Sequence, residues 1–299
     1  MSNILEQNKN KKEERSVFKI MPSIETNEGN GIMVHRAFPN NIIREFDPFL
    51  LLDDMGPIYL EPNTTKGFPE HPHRGFETVT YMLEGYFEHK DSKGNSGDLG
   101  PGDVQWMTAG SGIIHSEIPQ KEFAVKGGRL HGFQLWINLP KRDKMTKPKY
   151  QNITKDKVPV VRTTDGKTTV KIIAGEIFDS KSTVDTKIPI NYFHINMKPG
   201  TKFTQKISDS HNVFIYVISG KGLFGKRKQE GKSKELILFE KNEGKSISIE
   251  SPNYNKNELS FLLISGNPIN EPIVRYGPFV MNTREEINQA VEDFKNGEL

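Results

Sequence analysis

Apolar positions along this chain come in short alternating runs cut by Gly, Pro and Asp, the punctuation of an all-β protein. Residues 78–83 (Thr-Val-Thr-Tyr-Met-Leu) are β-prone and stop at Glu84 and Gly85. Tyr86, Phe87, Glu88 and His89 resume the run until residues 91–97 turn the chain. Residues 104–108 follow the Pro101, Gly102, Asp103 turn, and residues 130–139 alternate well enough for a further strand. Many short strands with tight turns predict a barrel or jelly roll.

The second half repeats this layout. The word Tyr81-Met82-Leu83-Glu84-Gly85 is echoed 135 residues later by Tyr216-Val217-Ile218-Ser219-Gly220, and Gly102 is echoed 142 residues later by Gly244. Residues 261–266 parallel the last strand of the first region. Two duplicated barrels in tandem are therefore expected. The end differs in kind: Thr283-Arg284-Glu285-Glu286 has the spacing of a capping box, and Ile287, Ala290, Val291 and Phe294 make one apolar stripe at helical period. A short amphipathic helix ending near Gly297 and packing across one barrel is predicted.

The expected organisation is a polar tail over residues 1–30, with one short strand near 17–20, and a first barrel over 31–140. A lysine-rich linker over 141–160, a second barrel over 161–280 and a terminal helix over 281–299 follow. The segment 141–157 carries Lys141, Arg142, Lys144, Lys147, Lys149, Lys155 and Lys157 against Asp143 and Asp156, which reads as a solvated connection between domains. The lysines come with no interleaved aromatics and no helix-turn-helix pattern, so direct nucleic-acid binding is not expected.

At 299 residues, with 34% hydrophobic and 26% charged residues, the chain has the composition of a soluble globular protein. No run approaches a membrane span and the N-terminus has no apolar secretory core, so a cytoplasmic protein is expected, or a nuclear one in a eukaryote. Cysteine is absent, which excludes disulfides, thiolate ligands, cysteine-held clusters and cysteine nucleophiles. No dinucleotide fingerprint, phosphate loop or serine-hydrolase elbow is present.

What the chain does carry is Gly67-Phe68-Pro69-Glu70-His71-Pro72-His73, answered 42 residues after His73 by His115-Ser116-Glu117. Residues i and i+2 of a strand point to one face, so each pair can aim both side chains at a single ion. His71, His73, His115 and Glu117 are the candidate metal ligands. With imidazole, carboxylate and no thiolate, iron, manganese, nickel, copper and zinc are all chemically possible. Three nitrogens, one oxygen and two open positions suit octahedral Fe(II) best, whereas a tetrahedral structural zinc leaves no opening.

Pro72 narrows the backbone between the two histidines, and Gly67 and Gly75 permit close approach around them. Arg74 faces away from the histidines, toward a carboxylate outside the pocket. Glu77 keeps the histidines' parity if the strand is unbroken; it is either a fifth ligand or an acceptor for the other N–H of a ligand histidine. Gly110-Ser111-Gly112 forms a turn at the cavity mouth, and Gln134 and Trp136 share a face that can line the pocket. The second half has only His194 and His211, in no comparable pair, and shows Gly200-Thr201-Lys202-Phe203-Thr204-Gln205 where ligands would be expected.

The chain resembles the pirin family. The resemblance rests on Asp47-Pro48-Phe49-Leu50-Leu51, on His71-Pro72-His73-Arg74-Gly75-Phe76-Glu77-Thr78-Val79, on residues 101–110 (Pro-Gly-Asp-Val-Gln-Trp-Met-Thr-Ala-Gly), and on residues 277–283 (Gly-Pro-Phe-Val-Met-Asn-Thr). It implies a bicupin: two cupin (jelly-roll) β-barrels, with one Fe(2+) in the N-terminal barrel and none in the other. The family's ligands fall on His71, His73, His115 and Glu117, and Glu77 is not among them. Two roles are implied. One is quercetin 2,3-dioxygenase, which opens a flavonol with O₂ and releases carbon monoxide. For that reaction the chemistry of a carboxylate at the reacting atom makes Glu117 the expected base for the substrate's hydroxyl proton. The other is an iron-dependent regulator whose partner is a transcription factor or a metabolic enzyme; a dioxygenase acting on another small enol or phenol is a third reading. The polar N-terminal tail and the lysine-rich insertions of the second half depart from the family's pattern.

Overall fold

The computed structural model describes residues 14–241 and 243–299, so residues 1–13 of the expected tail, including Lys11 and Lys12, lie outside the described residues. Two compact units are present. The first comprises Ile24–Val158 and Ile269–Leu299; the second comprises Pro159–Pro268 with residues 14–23.

Each unit pairs a seven-stranded with a four-stranded antiparallel sheet. In the first unit the larger sheet runs Lys149–Ile153, Val104–Thr108, Phe76–Glu84, Gly128–Asn138, Phe49–Leu60, Ile32–Phe38, Ile24–Glu28. Its smaller sheet runs Phe68–His73, Ile113–Pro119, Phe87–Asp91, Ser96–Leu99. In the second unit the larger sheet runs Val17–Pro22, Glu235–Phe239, Asn212–Ser219, Leu259–Gly266, Ile190–Met197, Thr168–Ala174, Val160–Arg162, and the smaller runs Thr201–Lys206, Ser246–Ser251, Lys221–Phe224, Gln229–Lys232. Apart from the outermost strands Lys149–Ile153 and Val17–Pro22, which come from opposite ends of their units, the strand orders match, as the Tyr81 and Tyr216 words implied. Gly244 is not the counterpart of Gly102, because it precedes Ser246–Ser251, which matches Ile113–Pro119 rather than Val104–Thr108. Gly85 and Gly220 close equivalent strands at φ 81° and 84°, a conformation that suits glycine.

Central strands are apolar on both faces because both are covered. Phe49, Leu50, Leu51, Leu52 and Met55 are all buried in the first unit, and Val213, Phe214, Ile215, Tyr216 and Val217 in the second. The second unit closes around Phe193, Ile195, Phe203, Phe224, Ile249 and Phe261. Its Thr201–Lys206 strand, the counterpart of the first unit's Phe68–His73, buries Phe203 and Gln205 and carries no histidine. His194 and His211 are engaged by the hydroxyls of Ser260 and Ser265.

The expected domain boundaries are crossed in three places. Residues 14–23 are no tail: Val17–Pro22 pairs with Glu235–Phe239, and the fully buried Arg15 donates to the carbonyls of His211, Ser208 and Gly244. Nor is the lysine-rich segment a linker. Lys149–Ile153 extends the first unit's larger sheet by pairing with Val104–Thr108, and Lys144 is buried with its ammonium donating to Gly75 O, Val280 O and Asn138 Oδ1. Such an ammonium satisfies three acceptors that would otherwise be buried alone.

The third crossing shapes the site. Residues 269–299 belong to the first unit, through the hairpin Val274–Tyr276/Phe279–Met281 and the helix Arg284–Lys295. The helix starts with the expected capping box: Thr283 Oγ1 accepts from Glu286 N–H while the Glu286 carboxylate accepts from Thr283 N–H. Its stripe packs Ile287 and Ala290 against Phe279 and Met281. A second short helix, Lys121–Lys126, has no counterpart in the sequence reading. Among the described residues, no helix is long and apolar enough to cross a membrane.

Candidate metal centre

The ligand strands are neighbours in the smaller sheet of the first unit. Antiparallel pairing sets His115 directly opposite His71 and Ile113 opposite His73. Alternation along Phe68–His73 then sends His71 and His73 to one face, toward His115. The three imidazoles meet: ring centroids are 4.7 Å apart for His71–His73, 4.5 Å for His71–His115 and 5.0 Å for His73–His115. One nitrogen of each lies within 4.8 Å of the others, in the three-residue group able to hold a metal ion among the described residues.

The chemistry of these nitrogens fits a cation. His73 and His115 are each 1% exposed, yet neither nitrogen of either ring makes a well-formed hydrogen bond, although the Pro278 carbonyl approaches His73. Buried polar nitrogens without partners are costly, and a lone pair donated to a metal removes that cost. Both pKa values lie well below the ordinary histidine value, first because burial penalises the charged ring and then because the neighbouring imidazoles repel a second proton. The rings are therefore neutral donors at neutral pH. His71 Nδ1 lies 2.7 Å from the Pro69 carbonyl, which assigns the proton to Nδ1 and leaves Nε2 as the donor.

Glu117 is placed differently. The register slips between His115 and Glu117, with an extra residue on the facing strand, so Glu117 stands opposite Phe68 on one side and His89 on the other. Its carboxylate is 1% exposed and lies outside the three-histidine group. Oε1 accepts from Thr80 Oγ1 at 2.7 Å and Oε2 from Gln134 Nε2 at 2.7 Å. Gln134 is oriented in turn by Trp136, whose Nε1–H donates to Gln134 Oε1 at 3.0 Å. An indole can only donate, so this bond fixes which end of the amide faces Glu117. Trp136 and Gln134 reach Glu117 from the shared face of Gly128–Asn138, a strand of the opposite sheet; Thr80, from the neighbouring strand Phe76–Glu84, carried no sequence signal.

The centre opens into a cavity of about 630 Å³. His71 and His73 lie on its wall with Leu51, Met55, Phe68, Gln134 and Trp136, and the C-terminal hairpin adds Arg275, Gly277 and Pro278. The His73 ring is flanked edge-on by Phe76 and Trp136, both 5.1 Å away. A volume of this size holds a small organic molecule.

Other expectations resolve individually. Gln134 and Trp136 do line the pocket. Arg74 does anchor a carboxylate outside it, that of Asp293 at 2.6 Å on the terminal helix. The strand carrying the histidines breaks at Arg74 and Gly75 before Glu77, and Glu77 Oε1 accepts from Thr108 Oγ1 at 2.6 Å. Gly110-Ser111-Gly112 is not at the mouth of the histidine cavity; Ser111 N–H donates to the Thr146 carbonyl, and Gly110 lies so close to that carbonyl that a Cβ would meet it at 2.0 Å. Gly75 does provide a close approach, since a Cβ there would stand 2.0 Å from Val280 O.

Comparison with known proteins agrees with this geometry. A family model described as Pirin matches residues 31–137, and one described as Pirin C-terminal cupin domain matches residues 192–299. The chain is 43% identical over 272 residues to a pirin-like protein of Solanum lycopersicum, covering 91% of this chain and 88% of that one. It is 41% identical over 275 residues to the pirin of Homo sapiens, covering 92% and 90%. The crystal structure of a quercetin 2,3-dioxygenase from Acinetobacter baumannii superposes with a TM-score of 0.88 at 36% identity, covering 95% of this chain and 98% of that one. The fold is thus a bicupin.

Proposed function

From the premise that this chain belongs to the pirin family, we propose that it is a mononuclear iron dioxygenase of the quercetin 2,3-dioxygenase type. It would open a flavonol with O₂ and release carbon monoxide. The observation that carries this reading is the set of four partnerless nitrogens on the buried rings of His73 and His115, beside a cavity of about 630 Å³.

His71, His73 and His115 would hold the metal, with Glu117 as the fourth ligand. Bound Fe(2+) would supply Lewis acidity toward the substrate's enol oxygen and an electron partner for dioxygen. Every other task falls to the chain. Neutral imidazoles at His73 and His115 keep their lone pairs available because burial disfavours their protonation. The Glu117 carboxylate, held by Thr80 and Gln134, would take the proton of the flavonol 3-hydroxyl. Trp136, Phe68, Met55 and Leu51 present flat and apolar surface to the rings and keep bulk water from the reacting edge.

The test is aerobic incubation of iron-loaded protein with quercetin, following bleaching and carbon monoxide together. Stoichiometric gas release that disappears in His73→Ala, along with iron retention, is expected. Bleaching without the gas, or undiminished turnover in His73→Ala protein shown to be metal-free, would overturn the proposal.

A further inference from the structure

We propose that Arg275 is a specificity-determining residue of this pocket: a guanidinium with no carboxylate partner that selects planar aromatic substrates bearing an anionic oxygen group at the edge remote from the histidines. This rests on the reading of the cavity as a substrate site and goes beyond the flavonol assignment.

The cavity wall carries two arginines in different states. Arg36 is fully engaged, donating to both oxygens of Asp53 at 2.8 and 2.7 Å and approaching Glu28 at 2.7 Å. Both acidic groups pair directly with Arg36 and act on Arg275 only through longer-range attraction. Arg275 makes no ion pair among the described residues. Its contacts within the protein are long hydrogen bonds from Nε to Gly277 O at 3.3 Å and from Nη1 to Leu50 O at 3.4 Å, and a stack of Cζ 4.8 Å from the Trp136 ring. Nη2 makes none. Partial burial of the side chain, and then the like charge of Arg36, lower its pKa, with Asp53 and Glu28 offsetting part of the shift; the residue itself is exposed, so the fork is open to a ligand.

Geometry makes this cation useful. The Val274–Tyr276/Phe279–Met281 hairpin turns at Gly277, φ 53°, and holds Arg275 against Trp136. Stacking orients the planar fork before a ligand arrives, so less side-chain entropy is lost on binding than for a free arginine. Trp136 is also the edge neighbour of His73, at 5.1 Å. The guanidinium therefore lies no more than about 10 Å from the His73 ring, and both residues line the same cavity. A ligand in this cavity with one end at the histidines brings its other end to the fork. An anionic oxygen there gains a charge-assisted hydrogen bond that a neutral edge does not.

The test measures equilibrium binding of 3-hydroxyflavone and of its 4'-carboxylate to metal-loaded protein without oxygen, read by quenching of tryptophan fluorescence. Wild type should prefer the carboxylate, and Arg275→Gln should cut the ratio of the two affinities by about 10- to 100-fold. Arg275→Lys, which keeps charge without the planar fork, should fall between them, and circular dichroism checks that each variant is folded. Quercetin, titrated through the ionisation of its phenols, separates phenolate from carboxylate as the recognised group. An unchanged ratio in Arg275→Gln, or failure of the carboxylate to bind wild type, overturns the assignment. Loss of the preference in a protein that releases no carbon monoxide from quercetin upholds Arg275 and refutes the flavonol reading instead.

Discussion

Replacing Gly75 with alanine tests how the C-terminal segment is coupled to the histidines. The new Cβ would stand 2.0 Å from Val280 O and 2.8 Å from Met281 Sδ, at φ 89°. A tolerable carbon–oxygen contact is about 3.3 Å, so the carbonyl must retreat by roughly 1.3 Å. That retreat pulls on a two-way backbone bridge in which Val280 N–H donates to Arg74 O at 3.1 Å and Arg74 N–H to Pro278 O at 3.3 Å. It also pulls on Lys144, which donates to both Gly75 O and Val280 O. Two weakened backbone bonds at about 1 kcal/mol each, with about 1–3 kcal/mol for the positive φ, give about 3–5 kcal/mol in total. For a unit of this size that lowers Tm by about 8–15 °C. Gly94→Ala is the control: its φ is 85°, but a Cβ there meets nothing within 4 Å, so only the conformational cost applies. Differential scanning calorimetry of both variants separates clash from conformation, and metal content should fall only in Gly75→Ala. If the two variants lose equal stability, the close packing of this hairpin carries no energy and the reasoning fails.

Two further outcomes follow from buried polar groups. Lys144 has its pKa lowered from 10.5 to about 8, chiefly by burial. Between those values the unfolded chain binds more protons than the folded one, so stability rises with pH over that window, by roughly 3 kcal/mol relative to Lys144→Met. Urea melts at pH 7, 9 and 11 would show parallel curves for the two proteins if the lysine did not feel its burial. Gln134→Leu removes the donor to Glu117 Oε2 and the acceptor of the Trp136 indole. Turnover of quercetin should drop by about tenfold or more, from a loss of about 1.5–3 kcal/mol, while Trp136 emission shifts. Unaltered kinetics would show that this amide does not position the carboxylate.

Local rules made much of this molecule legible. Period-two alternation identified strands, echoed words identified duplication, and the spacing of Thr283 and Glu286 identified the helix start, because each depends on residues a few positions apart. His71 and His73 share a face for the same reason. What alternation could not reveal is register: one extra residue on the strand facing His115 and Glu117 sets Glu117 opposite Phe68, where its carboxylate accepts from Thr80 and Gln134. Glu77 shows the limit in reverse, since its parity with the histidines assumed an unbroken strand and the strand breaks at Arg74 and Gly75. Nor could periodicity show that residues 269–299 return to the first unit, that Val17–Pro22 joins the second, or that Arg275 faces His73's cavity across some two hundred residues of chain. Those placements depend on which distant surfaces bury one another, and burial is a property of the folded whole.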